Sequence, residues 1–298
     1  MRLSVALAFA TVCVVWGSTY LAIRFVIQTA PPFFTAGTRW AVAGVLLYIV
    51  TRLRGASRPS RSHWISASVV GGLMLLGGHG AVVWAEQWIP SGLTSIFVAT
   101  VPLWVTLVES VNRRRRPDLK VLFALVIGFI GVIALVEDMP TTSGNMMGSI
   151  AAVVVLFGAL AWGSGSFLSR TAKMPDSHLT GVAMQMIVGG VLLFSASIAT
   201  GELTGLQLVN MSQRSFAALV YLIVFGSLVA FTSYIWLLKQ IAPSRVATYA
   251  YINPVVALLL GWAFAEEQLT LKGIVAVIIV LISVAVITTL KSEPTKAQ

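Results

Sequence analysis

Apolar runs of about twenty residues, separated by short polar joints, repeat along the whole chain. The runs cover 3–27, 32–51, 64–85, 92–111, 119–136, 148–169, 179–200, 214–238, 245–264 and 270–290. Each is bounded by Pro, Gly or charge. A helix needs about 20 apolar residues to cross the hydrocarbon core of a bilayer, so ten spanning helices are expected. A closed β-barrel also satisfies its backbone in lipid, but its strands would alternate apolar and polar residues over about ten positions. No such alternation occurs here.

Composition agrees with this pattern. The chain has 298 residues, 57% of them hydrophobic and 10% charged. A soluble domain carries about 25% charged residues, so lipid is the expected solvent. The longer polar stretches, 52–63, 112–120 and 137–147, are too short to enclose a soluble domain. Arg2 followed by an apolar run mimics a signal peptide. That run continues to Ile23 through Trp16-Gly17-Ser18, a poor cleavage context, and the expectation is a retained first span. Cys13 is the sole cysteine, so neither an intrachain disulfide nor a Cys-based metal site is expected.

The formal net charge is +10. With the N-terminus placed in the cytoplasm, 16 of the 20 Lys and Arg fall in inner segments. Arg24, Arg39, Arg214 and Lys272 are the exceptions, at outer ends. Glu86, Glu137, Asp138, Glu202, Glu266 and Glu267 also sit at outer ends. Cytoplasmic loops are enriched in Lys and Arg, so an even number of spans with both termini inside is expected. Arg113–Arg116 reads as a topology anchor beside anionic lipid, and no nucleic-acid partner is expected.

The two halves resemble each other. Trp16-Gly17-Ser18 matches Trp162-Gly163-Ser164, and Ala43-Gly44-Val45-Leu46-Leu47-Tyr48 matches Gly189-Gly190-Val191-Leu192-Leu193-Phe194. Ile89-Pro90-Ser91 matches Ala242-Pro243-Ser244, and Pro102 pairs with Pro254. The expected division is 1–141 and 142–298, five spans each. An odd number of spans per half inverts the second relative to the first, an arrangement found in secondary transporters.

In their order and duplication these motifs resemble the EamA-type branch of the drug/metabolite transporter superfamily. Glu266-Glu267 closing the ninth span and Arg39 in the second also fit. The resemblance implies an all-α polytopic membrane protein, ten helices in two inverted five-helix repeats around a central cavity. It further implies export of amino acids, other metabolites or drugs across a bacterial inner membrane, with amino-acid exporters the nearer kin. The halves depart from symmetry at two places: Arg39 aligns with Gln185, and Arg114 and Arg115 stand where an acidic pair would follow the fourth span.

Polar side chains deep in a membrane usually face a cavity or a partner. His79 lies among Gly77, Gly78 and Gly80. It reads either as a proton-coupling group or as a neutral interhelical hydrogen-bonding residue. Arg39 reads as an ion-pair partner of Glu86, as a carboxylate site, or as a residue snorkelling to the outer interface. Gln185, Tyr234, Thr248, Tyr249 and Asn253 are further cavity candidates. Trp16, Trp104 and Trp162 are either cavity walls or packing residues. Pro102 and Pro254, with Gly17 and Gly163, are candidate hinges, the prolines serving as gates or as fixed kinks.

The expected function is secondary transport, chiefly export, of small metabolites such as amino acids by alternating access. Multidrug or cationic-compound efflux is the alternative within transport. It is weakened because small-cation antiporters commonly hold a carboxylate in the first helix, and the first span here has none. A channel remains a further class. A membrane enzyme would need a convergent site. His63, His79 and His178 are far apart in the topology, and the HExxH, GxSxG and Walker A motifs are absent. No cofactor or metal is expected. The expected partners are a small-molecule substrate and the bilayer, and both halves lie in one chain, so a monomer suffices.

Overall fold

The computed structural model describes residues 3–112, 146–204 and 211–264, with isolated positions at 123, 127, 271, 274, 275, 278, 279 and 282. The expected fifth and tenth spans, the Arg113–Arg116 run, Glu137, Asp138, Glu266, Glu267 and Lys272 lie outside the described residues.

Among the described residues every regular element is helical. Helices α1 (Leu3–Ile27) and α2 (Pro32–Leu53) form the first two spans. The third runs from α3 (Arg61–Gly71) through a wider π-helical segment, π1 (Gly72–His79), into α4 (Gly80–Ala85). The fourth is broken into α5 (Ser91–Val98) and α6 (Val101–Asn112). Helices α7 (Met146–Leu168) and α8 (His178–Ala199) are continuous. The next span joins α9 (Gln213–Tyr221), π2 (Leu222–Phe231) and α10 (Thr232–Gln240). A last described stretch divides into α11 (Pro243–Val246) and α12 (Tyr249–Phe264).

Seven of these stretches are long and apolar enough to cross a membrane: Leu3–Ile27, Pro32–Leu53, Arg61–Ala85, Ser91–Asn112, Met146–Leu168, His178–Ala199 and Gln213–Gln240. Each overlaps an expected span. Their outward faces are apolar, with Val45, Leu46 and Ile49 on α2, Phe157 on α7 and Val191 on α8 all exposed. Such a surface suits hydrocarbon.

Helices in lipid gain little from hydrophobic burial against one another and associate through close van der Waals packing, so small residues collect at their contacts. The most extensive interhelical contact here is between α2 and α8. A Cβ on Gly44 would come within 2.7 Å of the Ile187 backbone nitrogen, and one on Gly190 within 2.5 Å of the Ala41 nitrogen. Both values are closer than real Cβ contacts allow, so the crossing depends on the two glycines. They belong to the matching hexapeptides of the two halves.

Span ends are tied by polar contacts. The carboxylate of Glu202 accepts from the backbone N–H groups of Phe33 (3.1 Å) and Phe34 (2.8 Å). It thereby caps α2, where Pro31 at the N-cap offers no side-chain acceptor. An anion at a helix N-terminus meets both open donors and the positive end of the helix dipole. Arg24 donates to the Glu86 carbonyl oxygen (2.6 Å), and Arg214 donates to the Phe264 carbonyl oxygen (3.0 Å).

Candidate functional site

The widened third span, the broken fourth span and α12 meet at one cavity. It encloses about 60 Å³ and is walled by α1, α2, π1, α4, the α5–α6 joint, α7 and α12. Backbone irregularity at membrane depth is tolerated where it is buried in protein or lines a cavity. A π-helical turn adds a residue and redirects the side chains around it, often at functional sites. His79, the last residue of π1, is turned toward α2 in this way.

Arg39 forms the polar corner. It lies in the second turn of α2 and is 2% exposed. Its Nε donates to Ser227 Oγ at 2.8 Å, Nη1 sits 3.0 Å from His79 Nε2, and its guanidinium carbon is 4.6 Å from the Trp40 ring centroid. Trp40 Nε1 reaches the other ring nitrogen of His79 at 3.1 Å. The expected pairing of Arg39 with Glu86 is not formed, nor does Arg39 snorkel. Ser227 in π2 draws it inward across Gly226, where a Cβ would come within 2.7 Å of Arg39 Nη2.

The opposite wall is aromatic. Trp16 meets Trp162 edge-on, with centroids 5.4 Å apart and planes at 81°. Tyr249 packs against Trp16 at 4.9 Å. Trp16 Nε1 donates to the Gly226 carbonyl oxygen at 3.0 Å, and Trp162 Nε1 donates to the Tyr234 hydroxyl at 3.1 Å. Each indole thus has its N–H satisfied and its ring free to pack, as buried Trp requires. With its amide nitrogen turned toward the carbonyl oxygens of Cys13 and Tyr249, at 3.2 and 3.1 Å, Asn253 joins α12 to α1.

Six of the expected cavity residues are therefore brought together: Trp16, Arg39, His79, Trp162, Tyr249 and Asn253. Four do not line it. Tyr234 stands behind the indoles, fully buried, and shares a 2.7 Å hydrogen bond with Ser166. Trp104 turns back to Thr100 Oγ1 in the α5–α6 break at 3.2 Å. Gln185 is buried in α8, where its backbone oxygen packs against Gly71. Thr248 occupies the α11–α12 joint and donates to the Arg245 carbonyl oxygen at 2.7 Å.

The hinge candidates also separate. Pro102 is not a mid-helix kink: it is the second residue of α6, just past the break at Ala99–Thr100. In a first helical turn the missing N–H would be unpaired anyway. Pro254 lies inside α12. Gly17 packs on Val256 and Gly163 on Val105 and Trp104, so both are close-packing positions.

Tyr20, Trp40 and Ser227 were not among the expected site residues. Tyr20 lies one turn beyond Trp16 on the same face, and Trp40 adjoins Arg39, so spacing carried a signal for both. Ser227 carried none, because its role depends on the packing of π2 against α2.

Comparison with known proteins agrees with this architecture. The profile described as the EamA-like transporter family matches the chain twice, over residues 3–136 and 149–289. An uncharacterized inner membrane transporter of Escherichia coli K12, YedA, is 34% identical over 92% of this chain and 87% of its own length. The uncharacterized transporter YoaV of Bacillus subtilis is 26% identical, covering 93% of this chain and 94% of its own. Protein PecM of Dickeya dadantii is 25% identical over 94% and 90%. A solved crystal structure superposes with a TM-score of 0.70 over 97% of both chains at 19% identity, a likeness of fold. By its two profile matches and its relatives, this polytopic membrane protein belongs to the EamA-like transporter family of the drug/metabolite transporter superfamily.

Proposed function

We propose that the protein is a secondary transporter that exports small metabolites such as amino acids across the bacterial inner membrane by alternating access, with both termini in the cytoplasm. The observation that carries this reading is the small cavity among the spans, which joins a buried cation to an aromatic wall where discontinuous helices meet. Small-molecule sites occupy about 300–1,000 Å³, and this cavity encloses about 60 Å³. A metabolite enters it only when the surrounding helices move.

A two-fold relation between residues 1–141 and 142–298 is supported by reciprocal contacts. Gly44 meets Ile187 as Gly190 meets Ala41. Trp16 bonds Gly226 in π2, and Trp162 packs on Gly78 in π1. Gly17 meets α12, and Gly163 meets α6. In each pair the two halves exchange roles. Exchange of their conformations would convert an inward-facing state into an outward-facing one.

The test is counterflow of labelled amino acids in proteoliposomes, with and without a pH gradient, for the wild type and His79→Ala. Saturable counterflow is expected, as for a carrier. Unsaturable flux down the gradient would establish a channel instead, and no flux of any amino acid would reject amino acids as the cargo.

A further inference from the structure

The polar corner of the cavity holds more hydrogen-bond donors than acceptors. A guanidinium has five N–H donors and no acceptor, and an indole N–H only donates. Arg39 Nη1 and Trp40 Nε1 are aimed at the two ring nitrogens of a single imidazole, at 3.0 and 3.1 Å. Neutral imidazole offers one lone-pair nitrogen and one N–H. Whichever nitrogen of His79 carries the hydrogen, one of these contacts opposes N–H to N–H. An imidazolium would oppose both. The remaining side-chain acceptor on Arg39 among the described residues is Ser227 Oγ. No described carboxylate lies within ion-pair distance of Arg39, although the residue is 2% exposed. A cation at membrane depth normally has a partner. Among the described residues the corner lacks one acceptor, and a negatively charged one fits best.

We infer that the cavity recognises a small organic carboxylate, its oxygens on the Arg39 guanidinium and its apolar body against Trp16, Trp162 and Tyr249. This rests on the transport reading of the same cavity and narrows the substrate class. Arg and carboxylate match in planar, two-pronged geometry. A carboxylate that replaces His79 on Arg39 Nη1 accepts from the guanidinium and leaves the imidazole a single donor, Trp40. One guanidinium balances one negative charge, so a monoanion fits and a dianion leaves a buried charge unmatched. An organic cation would stand beside Arg39 with like charge.

The test compares ligand pairs differing only in the acid group: L-leucine against L-leucinamide, and phenylacetate against phenylacetamide. Binding is read as the rise in Tm of the purified protein in detergent, since a ligand of the folded state stabilises it by mass action. Each acid is expected to bind at least about tenfold tighter than its amide, the scale of one charge-assisted contact. The preference should disappear in Arg39→Gln and survive in part in Arg39→Lys. The wild-type comparison stands whether or not a variant folds. Equal binding of acid and amide, binding of neither acid, or equal stabilisation by chloride would overturn the inference. Acid binding without counterflow in liposomes would retire the transport reading and keep the carboxylate site. Counterflow of amines indifferent to Arg39→Gln would do the reverse.

Discussion

Trp16 and Trp162 face each other edge to ring at 5.4 Å, and each indole N–H is anchored on the span containing π2: Trp16 on the Gly226 carbonyl and Trp162 on the Tyr234 hydroxyl. The pair joins α1 to α7 in the wall of the cavity. An edge-to-face aromatic pair contributes about 0.5–1.5 kcal/mol beyond its area. In a double-mutant cycle with Trp16→Leu and Trp162→Leu, thermal unfolding in detergent should give a coupling energy of about 1 kcal/mol. Strictly additive effects would mean that the rings only fill space.

The α2–α8 crossing predicts a graded glycine series. Gly44→Ala and Gly190→Ala each push a methyl into facing backbone and should cost about 1–3 kcal/mol by overpacking. Gly72→Ala meets only the Leu192 Cδ1 methyl at 3.4 Å, and should leave Tm unchanged or raise it through better helix propensity. An unchanged or raised Tm at all three positions would show that helix propensity, not close approach, governs these sites.

Glu202 is the acceptor for two open donors of α2. Glu202→Ala should cost about 1–2 kcal/mol, and Glu202→Gln less, because an amide oxygen still accepts without the charge. Hydrogen exchange at the Phe33 and Phe34 amides is the direct readout. Both should exchange faster in Glu202→Ala, while amides in the middle of α2 stay protected.

The two prolines should separate in function. Pro254 interrupts the hydrogen bonding of α12 from inside, whereas Pro102 begins α6. Pro254→Ala is therefore expected to alter the exchange rate between access states, read by labelling of cysteines introduced along the cavity in a Cys13→Ser background. Pro102→Ala should leave it within about twofold, since a first-turn proline replaces no helical hydrogen bond. Equal effects would point to a shared kink rather than one flexing helix.

Much of the fold was legible because apolar length and charge placement are one-dimensional signals. The seven qualifying spans fall within a few residues of the runs read from the chain. The π segments were not legible: Gly72–His79 and Leu222–Phe231 read as ordinary apolar helix, since widening depends on what packs against them. In the site, Trp16, Arg39 and His79 were visible as costly or bulky groups at membrane depth. Thr248 carried the same signal yet bonds to the nearby Arg245 carbonyl, as a short hydroxyl side chain can, and Gln185 carried it yet is buried in α8 away from the cavity. Arg39 was expected near the outer end of its span. Eight residues of helix place it deeper, and Ser227 holds it there.

The crossed anchoring of the first two spans has a consequence for biogenesis. The Trp16 N–H finds its acceptor on Gly226, and Arg39 finds one of its two on Ser227, both more than a hundred residues later in the chain. While the ribosome has delivered only the amino-terminal helices, those donors sit in the bilayer without their mature acceptors. Nascent chains halted before residue 226 should therefore stay susceptible to membrane proteases, and maturation should follow insertion of the span that carries π2. The two halves assemble as one cooperative unit whose completion waits for its late helices.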